Sequence, residues 1–139
     1  MGSLAVSVLL DTHVWIWWHL EPTKIPARLH KLIKAASADD DLYLSAISPW
    51  EVAMLVEKKR LDLTMDVQVW VERALEVPGL SVYPLTPSVA VASTRLPFPI
   101  HPDPADRIIA ATALELGATL LTRDERLLEC EGLATRWVD

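Results

Sequence analysis

The feature that most restricts this chain is a short, almost uninterrupted apolar run near its start, residues 4–10 (LAVSVLL), followed at once by an aspartate. A strand with one wet face alternates apolar and polar residues. A run that is apolar at nearly every position must be covered on both faces, as a strand inside a parallel sheet is. Parallel neighbours need a crossover between them, usually a helix, and the rest of the chain supplies crossovers. Thr12 to Leu20 predicts one helix and Ile25 to Ala36 another, with Leu29, Leu32 and Ile33 on one stripe. Leu42-Tyr43-Leu44 predicts a second strand after the acidic turn Asp39-Asp40-Asp41. Helices over about 49–59 and 65–77 follow, the second closed by Pro78-Gly79. Ser81-Val82-Tyr83 reads as a third strand, 87–95 as a short helix, and Pro97 to Pro102 as a proline-rich loop. A long apolar helix over 104–116 stops at Gly117, a residue suited to end a helix. Thr119-Leu120-Leu121 is a fourth strand, 124–129 a short helix, and Ala134 to Trp137 a fifth strand. Strands separated by helices predict an α/β fold, a three-layer α/β/α sandwich around a parallel sheet of four or five strands. With no internal repeat and no linker, residues 1–139 are expected to form a single domain.

Composition narrows the class. The chain is 51% hydrophobic and 23% charged, which suits a packed core and excludes disorder, collagen-like repeats and low-complexity scaffolds. Its single cysteine, Cys130, cannot form an internal disulfide, and no Cys/His spacing suits zinc. The opening Met1-Gly2-Ser3-Leu4 lacks a basic region ahead of its apolar run, so no signal peptide is expected. No uncharged stretch reaches the ~20 residues of a membrane span. A cytoplasmic protein is therefore expected. The net charge of −6 argues against nucleic-acid binding, unless acids are gathered in one place. With four acids in a metal site, the remainder carries −6 − (−4) = −2.

Four acids have positions that suggest such a gathering. Asp11 follows the first strand and Glu51 opens the helix after the second; Asp106 lies in the first turn of the long helix, and Asp124 follows the fourth strand. In open α/β sheets, ligands bind outside the carboxyl ends of the strands, and all four are expected near that edge. Taken singly, each also reads as helix capping. Ser48-x-x-Glu51 and Thr122-x-x-Glu125 match the capping box, Pro49 and Pro104 suit the first helical position, and Asp103 is a natural N-cap. Asp11 can cap its own helix. With Asp103 or Thr122 serving as caps, however, Asp106 and Asp124 are surplus. Two carboxylates about 4 Å apart repel by about 4 kcal/mol at an effective dielectric of 20, so convergence needs protons or a cation. Oxygen-only ligands favour a hard ion, Mg²⁺ or Mn²⁺.

These motifs resemble the PIN-domain nucleases, and among them the VapC-type toxins of bacterial and archaeal toxin–antitoxin pairs. The resemblance rests on Leu9-Leu10-Asp11-Thr12-His13-Val14-Trp15, on Ser45-Ala46-Ile47-Ser48-Pro49-Trp50-Glu51-Val52-Ala53, on the run from His101 through Asp103-Pro104-Ala105-Asp106-Arg107 to Ala113, and on Leu121-Thr122-Arg123-Asp124. It implies an endoribonuclease using Mg²⁺ or Mn²⁺, a small cognate VapB-type antitoxin whose tail occludes the site, and a homodimer. The family's acidic quartet falls on Asp11, Glu51, Asp106 and Asp124, as catalytic and metal-binding residues. Asp11 and Asp106 would be the most direct ligands, and Thr122 a hydroxyl orienting a carboxylate. The implied reaction is in-line hydrolysis of the RNA phosphodiester by ion-activated water, leaving a 5′-phosphate and a 3′-hydroxyl. The commoner family pattern has a bulky aromatic where this chain has Ala105.

Other residues keep two readings. Asp103 is a cap or a fifth acid. Arg107 and Arg123 pair with a carboxylate or touch a phosphate. His13, two residues from Asp11 on a helix start, is expected to point elsewhere. Trp15 and Trp18 share a core face, whereas Trp17 falls off it, as core rim or as a dimer or antitoxin surface. Glu57-Lys58-Lys59-Arg60 is a solvated helix end or an RNA backbone contact. Rival chemistries fit poorly. A haloacid-dehalogenase-like phosphatase needs an acid at position 13, which is His, and Asp103 to Asp106 does not match the DxD spacing of Toprim sites. A non-catalytic PIN-fold module that binds RNA or protein is the alternative of a different class.

Overall fold

The computed structural model describes residues 6–138; Met1 to Ala5, including the start of the first predicted strand, lie outside the described residues. The first strand, β1 (Val8–Leu10), is fully buried at all three positions. It is followed by α1 (Thr12–Leu20), a 3₁₀ turn at Pro22–Lys24, α2 (Ala27–Ala38), β2 (Leu42–Ser45), α3 (Ile47–Glu57) and α4 (Val67–Leu75). Then come β3 (Leu80–Tyr83), α5 (Pro87–Ala92), α6 (Pro104–Leu116), β4 (Thr119–Leu121), α7 (Glu125–Leu128) and β5 (Thr135–Arg136). The five strands lie in the order β3-β2-β1-β4-β5, and every neighbouring pair is parallel.

The expected α/β sandwich follows from the pleat. Val8 and Leu10 point to one face with Leu42, Leu44 and Leu121, meeting Trp15, Leu29, Ile33 and Trp70 from α1, α2 and α4. Leu9 and Leu120 point to the other face, onto Ile109, Ala110 and Ala113 of α6 and Leu127 of α7. An apolar residue at every position of β1 therefore serves two cores at once.

Several helix ends differ from expectation, each for a local reason. Ile25 precedes a proline and stays extended (ψ 123°), so α2 starts at Ala27 rather than at Ile25. Asp66 accepts from the N–H groups of Gln68 and Val69, which sets the start of α4 at Val67. The helix α3 starts two residues earlier than expected and puts Pro49 in its third position, where a proline still breaks no helical bond. Gly117 ends α6 in the left-handed region (φ 64°), as expected. Gly79 (φ 79°) lies where a Cβ would come within 1.8 Å of the Ser37 carbonyl oxygen, so α2 and the entry to β3 can meet only at glycine.

Candidate active site

Parallel register brings the first two site residues together. Leu10 pairs with Leu121 across β1 and β4, so Asp11 and Thr122, one residue beyond each strand, emerge side by side. The Asp11 N–H donates to the Leu121 carbonyl at 3.0 Å. The Thr122 hydroxyl donates to Asp11 Oδ2 at 2.7 Å, and Asp11 Oδ1 accepts from the Thr12 N–H at 2.8 Å. Asp11 thus caps α1 and keeps its carboxyl in a fixed plane. Burial raises its affinity for a proton, opposed by these hydrogen bonds and by His13 nearby.

Glu51 is held differently from the expected capping box. Because α3 starts at Ile47, Glu51 lies in its second turn, and Ser48 is fully buried instead of capping. The Thr12 hydroxyl donates to Glu51 Oε1, and Ser48 Oγ lies 2.8 Å from Thr12 Oγ1. A carboxylate only accepts, so Thr12 spends its proton on Glu51 and Ser48 donates to Thr12. Burial raises the Glu51 pKa, and Asp11 adds to the rise.

The remaining acids come from the other side of the sheet edge. Asp103 is the N-cap of α6, accepting from Ala105 N and Asp106 N at 2.9 and 3.2 Å, as its sequence position predicts. Asp106 is thereby turned inward from the first helical turn, its side chain 14% exposed. Burial, and then the charges of Asp11, Asp103, Glu51 and Asp124, push its pKa up to about 8. Asp124, contrary to expectation, is not surplus to capping. It is itself the N-cap of α7, and Thr122 accepts its N–H at 3.1 Å rather than heading a capping box. Burial works to raise the Asp124 pKa, but Arg126, donating to its carboxylate from backbone and guanidinium, holds it below the usual range.

One open cavity of about 530 Å³ is lined by Asp11, Glu51, Asp106 and Asp124, together with Asp103. The four predicted acids therefore converge from four separated segments. Sequence reasoning misses His101. Its Nε2 lies 3.1 Å from Asp106 Oδ2, and His101, Asp106 and Asp124 offer ligand atoms within 4.8 Å of one another. No fixed spacing marks such a residue, because the Pro102-Asp103 turn, not a helix or strand period, brings it back to the acids. His101 lines the adjoining pocket rather than this cavity, whereas His13 lines the cavity itself, contrary to expectation, with Trp17 beside it. Trp17 is half-buried, stacked edge-on to Trp137 at 5.9 Å. Trp15 is fully buried, and Trp18 packs against the same core, as predicted.

The arginines divide. Arg107 takes neither expected partner; it donates to the carbonyls of His101, Ile100 and Ser93 at 3.1, 3.2 and 3.5 Å, pinning the proline-rich loop to α6. Arg123 is exposed and lines the cavity. Lys58 and Arg60 line a neighbouring groove that shares Glu51 and Asp103 with the site. Ala105 is buried.

The donor set suits a divalent cation. Three carboxyls are held above their ordinary pKa by burial and mutual repulsion, which a 2+ charge relieves. The Nε2 of His101 is buried with no aligned hydrogen-bond partner.

A parallel β3-β2-β1-β4-β5 sheet with carboxylates gathered at the ends of its central strands defines a class. The PIN-domain family model matches residues 8–133, and the chain belongs to the PIN-domain family. It is 40% identical to Ribonuclease VapC22 of Mycobacterium tuberculosis over 121 residues, 87% of this chain and 89% of that protein. The fold is shared with VapBC2 from Rickettsia felis bound to a promoter DNA fragment, at a TM-score of 0.69 and 16% identity, covering 94% of this chain and 98% of that one. It is also shared with DNA-bound VapBC from Salmonella typhimurium, at 0.64 and 17%, covering 94% and 97%. Among the described residues no helix is long and apolar enough to cross a membrane.

Proposed function

We propose that this protein is a metal-dependent endoribonuclease of the VapC type, the toxin of a toxin–antitoxin pair, acting in the cytoplasm where its RNA substrate is found. The observation that carries this reading is the convergence of Asp11, Glu51, Asp106 and Asp124 on one cavity, within a family whose relative at 40% identity is named a ribonuclease. Structural neighbours solved as VapBC complexes on DNA support a VapB-type antitoxin as partner. A homodimer suits the exposed apolar side chains of Val82 on the edge strand β3, Val91 on α5 and Leu114 on α6.

The four acids would hold Mg²⁺ or Mn²⁺. When bound, such an ion offsets charge developing on a phosphodiester and lowers the pKa of water. The chain's own residues do the positioning. Thr122 fixes the plane of Asp11, and Thr12, backed by Ser48, fixes Glu51. Asp103 caps α6 so that Asp106 is presented from its first turn. Arg126 balances Asp124, while Arg123 stands at the cavity wall within reach of an RNA phosphate. In-line attack by water leaves a 5′-phosphate and a 3′-hydroxyl.

Expression in a bacterial host tests the biological role. The wild-type chain should arrest growth, Asp11→Asn should not, and co-expression of the cognate antitoxin should restore growth. Normal growth with soluble, RNA-binding but non-cleaving protein would support the non-catalytic module instead.

A further inference from the structure

We propose that His101 is a nitrogen ligand of the divalent ion, forming with Asp106 and Asp124 a mixed nitrogen–oxygen site that prefers Mn²⁺ to Mg²⁺. This rests on the metal-dependent reading above and adds a ligand to it.

Three observations lead there. First, one atom each from His101, Asp106 and Asp124 lies within 4.8 Å of the others. Ligands on opposite sides of one small cation stand about 4.2 Å apart, so slight side-chain rotation closes the set. Second, the imidazole is 13% exposed and its Nε2 has no solvent contact, yet it has no aligned hydrogen bond. Its 3.1 Å approach to Asp106 Oδ2 matches the spacing of adjacent ligands about one small cation, about 3 Å. The Asp106 carboxyl is the polar neighbour of that nitrogen, and a cation held by both would take lone-pair density from each. Third, the ring is placed in advance. Arg107 follows Asp106 on α6 and donates to the carbonyls of both Ile100 and His101. One guanidinium thus locks the loop that carries the nitrogen to the helix that carries the oxygen.

Chemistry sets the preference. Carboxylates and water serve Mg²⁺ and Mn²⁺ alike, whereas imidazole favours transition ions. An all-carboxylate site discriminates weakly, so His101 would supply the discrimination.

The test uses the full-length chain loaded with Mn²⁺ and read by electron spin-echo modulation, which detects nitrogen bound directly to manganese. A ¹⁴N coupling is expected in wild type, lost in His101→Gln and kept in His13→Gln, the control for the histidine that lines the acid cavity. By titration, His101→Gln should weaken Mn²⁺ about tenfold or more and Mg²⁺ far less. Absence of the coupling in wild type, its survival in His101→Gln or its loss in His13→Gln would overturn the proposal. If His101→Gln does not fold, wild type and His13→Gln still decide. Manganese bound without nitrogen sinks this ligand alone. Failure to bind either ion sinks the metal-dependent reading with it.

Discussion

Thr122 Oγ1 lies 2.7 Å from Asp11 Oδ2, a buried hydrogen bond between residues 111 positions apart that ties the end of β4 to the end of β1. The same hydroxyl oxygen accepts the Asp124 N–H. One small side chain therefore sets the orientation of two of the four converging acids.

Thr122→Val removes the hydroxyl while keeping the shape. It strands a buried carboxyl oxygen and a backbone N–H, at a cost of about 1–3 kcal/mol. Urea unfolding should show that loss, RNA cleavage should fall about tenfold or more, and Thr122→Ser should recover most of both.

The acid cluster predicts how metal-free stability depends on pH. Asp106 has a folded pKa of about 8 against an ordinary 3.8, so between those values the folded state binds the extra proton. Its contribution is fully present below the unfolded pKa and is lost as pH rises through about 8. Asp11 and Glu51, also raised, act in the same direction, whereas Asp124, lowered, opposes them. Thermal unfolding in EDTA should show Tm falling from about pH 5 to about pH 8.5. Asp106→Asn should flatten that slope and raise Tm at the alkaline end. Metal uptake near neutral pH should release a proton, measurable by calorimetry in buffers of different ionisation enthalpy.

Gly79→Ala should be among the most damaging single-methyl changes available. The added Cβ meets backbone at 1.8 Å, and the φ of 79° is itself unfavourable for alanine. A loss of at least about 3 kcal/mol is expected; the reading is denaturant midpoint, with Gly117→Ala, which meets nothing within 4 Å, as the milder comparison.

Arg107→Lys keeps the charge but loses the planar fork that reaches three carbonyls. Hydrogen exchange across residues 96–102 should accelerate while the strands stay protected, and stability should drop by about 1.5–3 kcal/mol.

Much of this is legible in the chain because periodicity and position carry it. A strand apolar at every position from Val8 to Leu10 announces a doubly covered sheet, and acids just beyond the strands or early in the helices announce its functional edge. The capping patterns mislead for a physical reason. Ser48-x-x-Glu51 has the spacing of a capping box, but burial against α1 recruits Ser48 to Thr12, and α3 starts ahead of it. Asp124 both caps α7 and faces the cavity, so assigning each acid to one duty is too strict. His101 and Arg107 depend on the path of a proline-rich loop, which follows tertiary hydrogen bonds and leaves no period in the sequence.

The most direct measurement is cleavage of a defined RNA by purified wild type, Asp11→Asn and Asp106→Asn, with Mg²⁺ or Mn²⁺ and with excess EDTA. Cutting by wild type only when the ion is present, leaving 5′-phosphate ends, and no cutting by either folded variant is the predicted result. Undiminished cutting in EDTA, or by both variants, would contradict it.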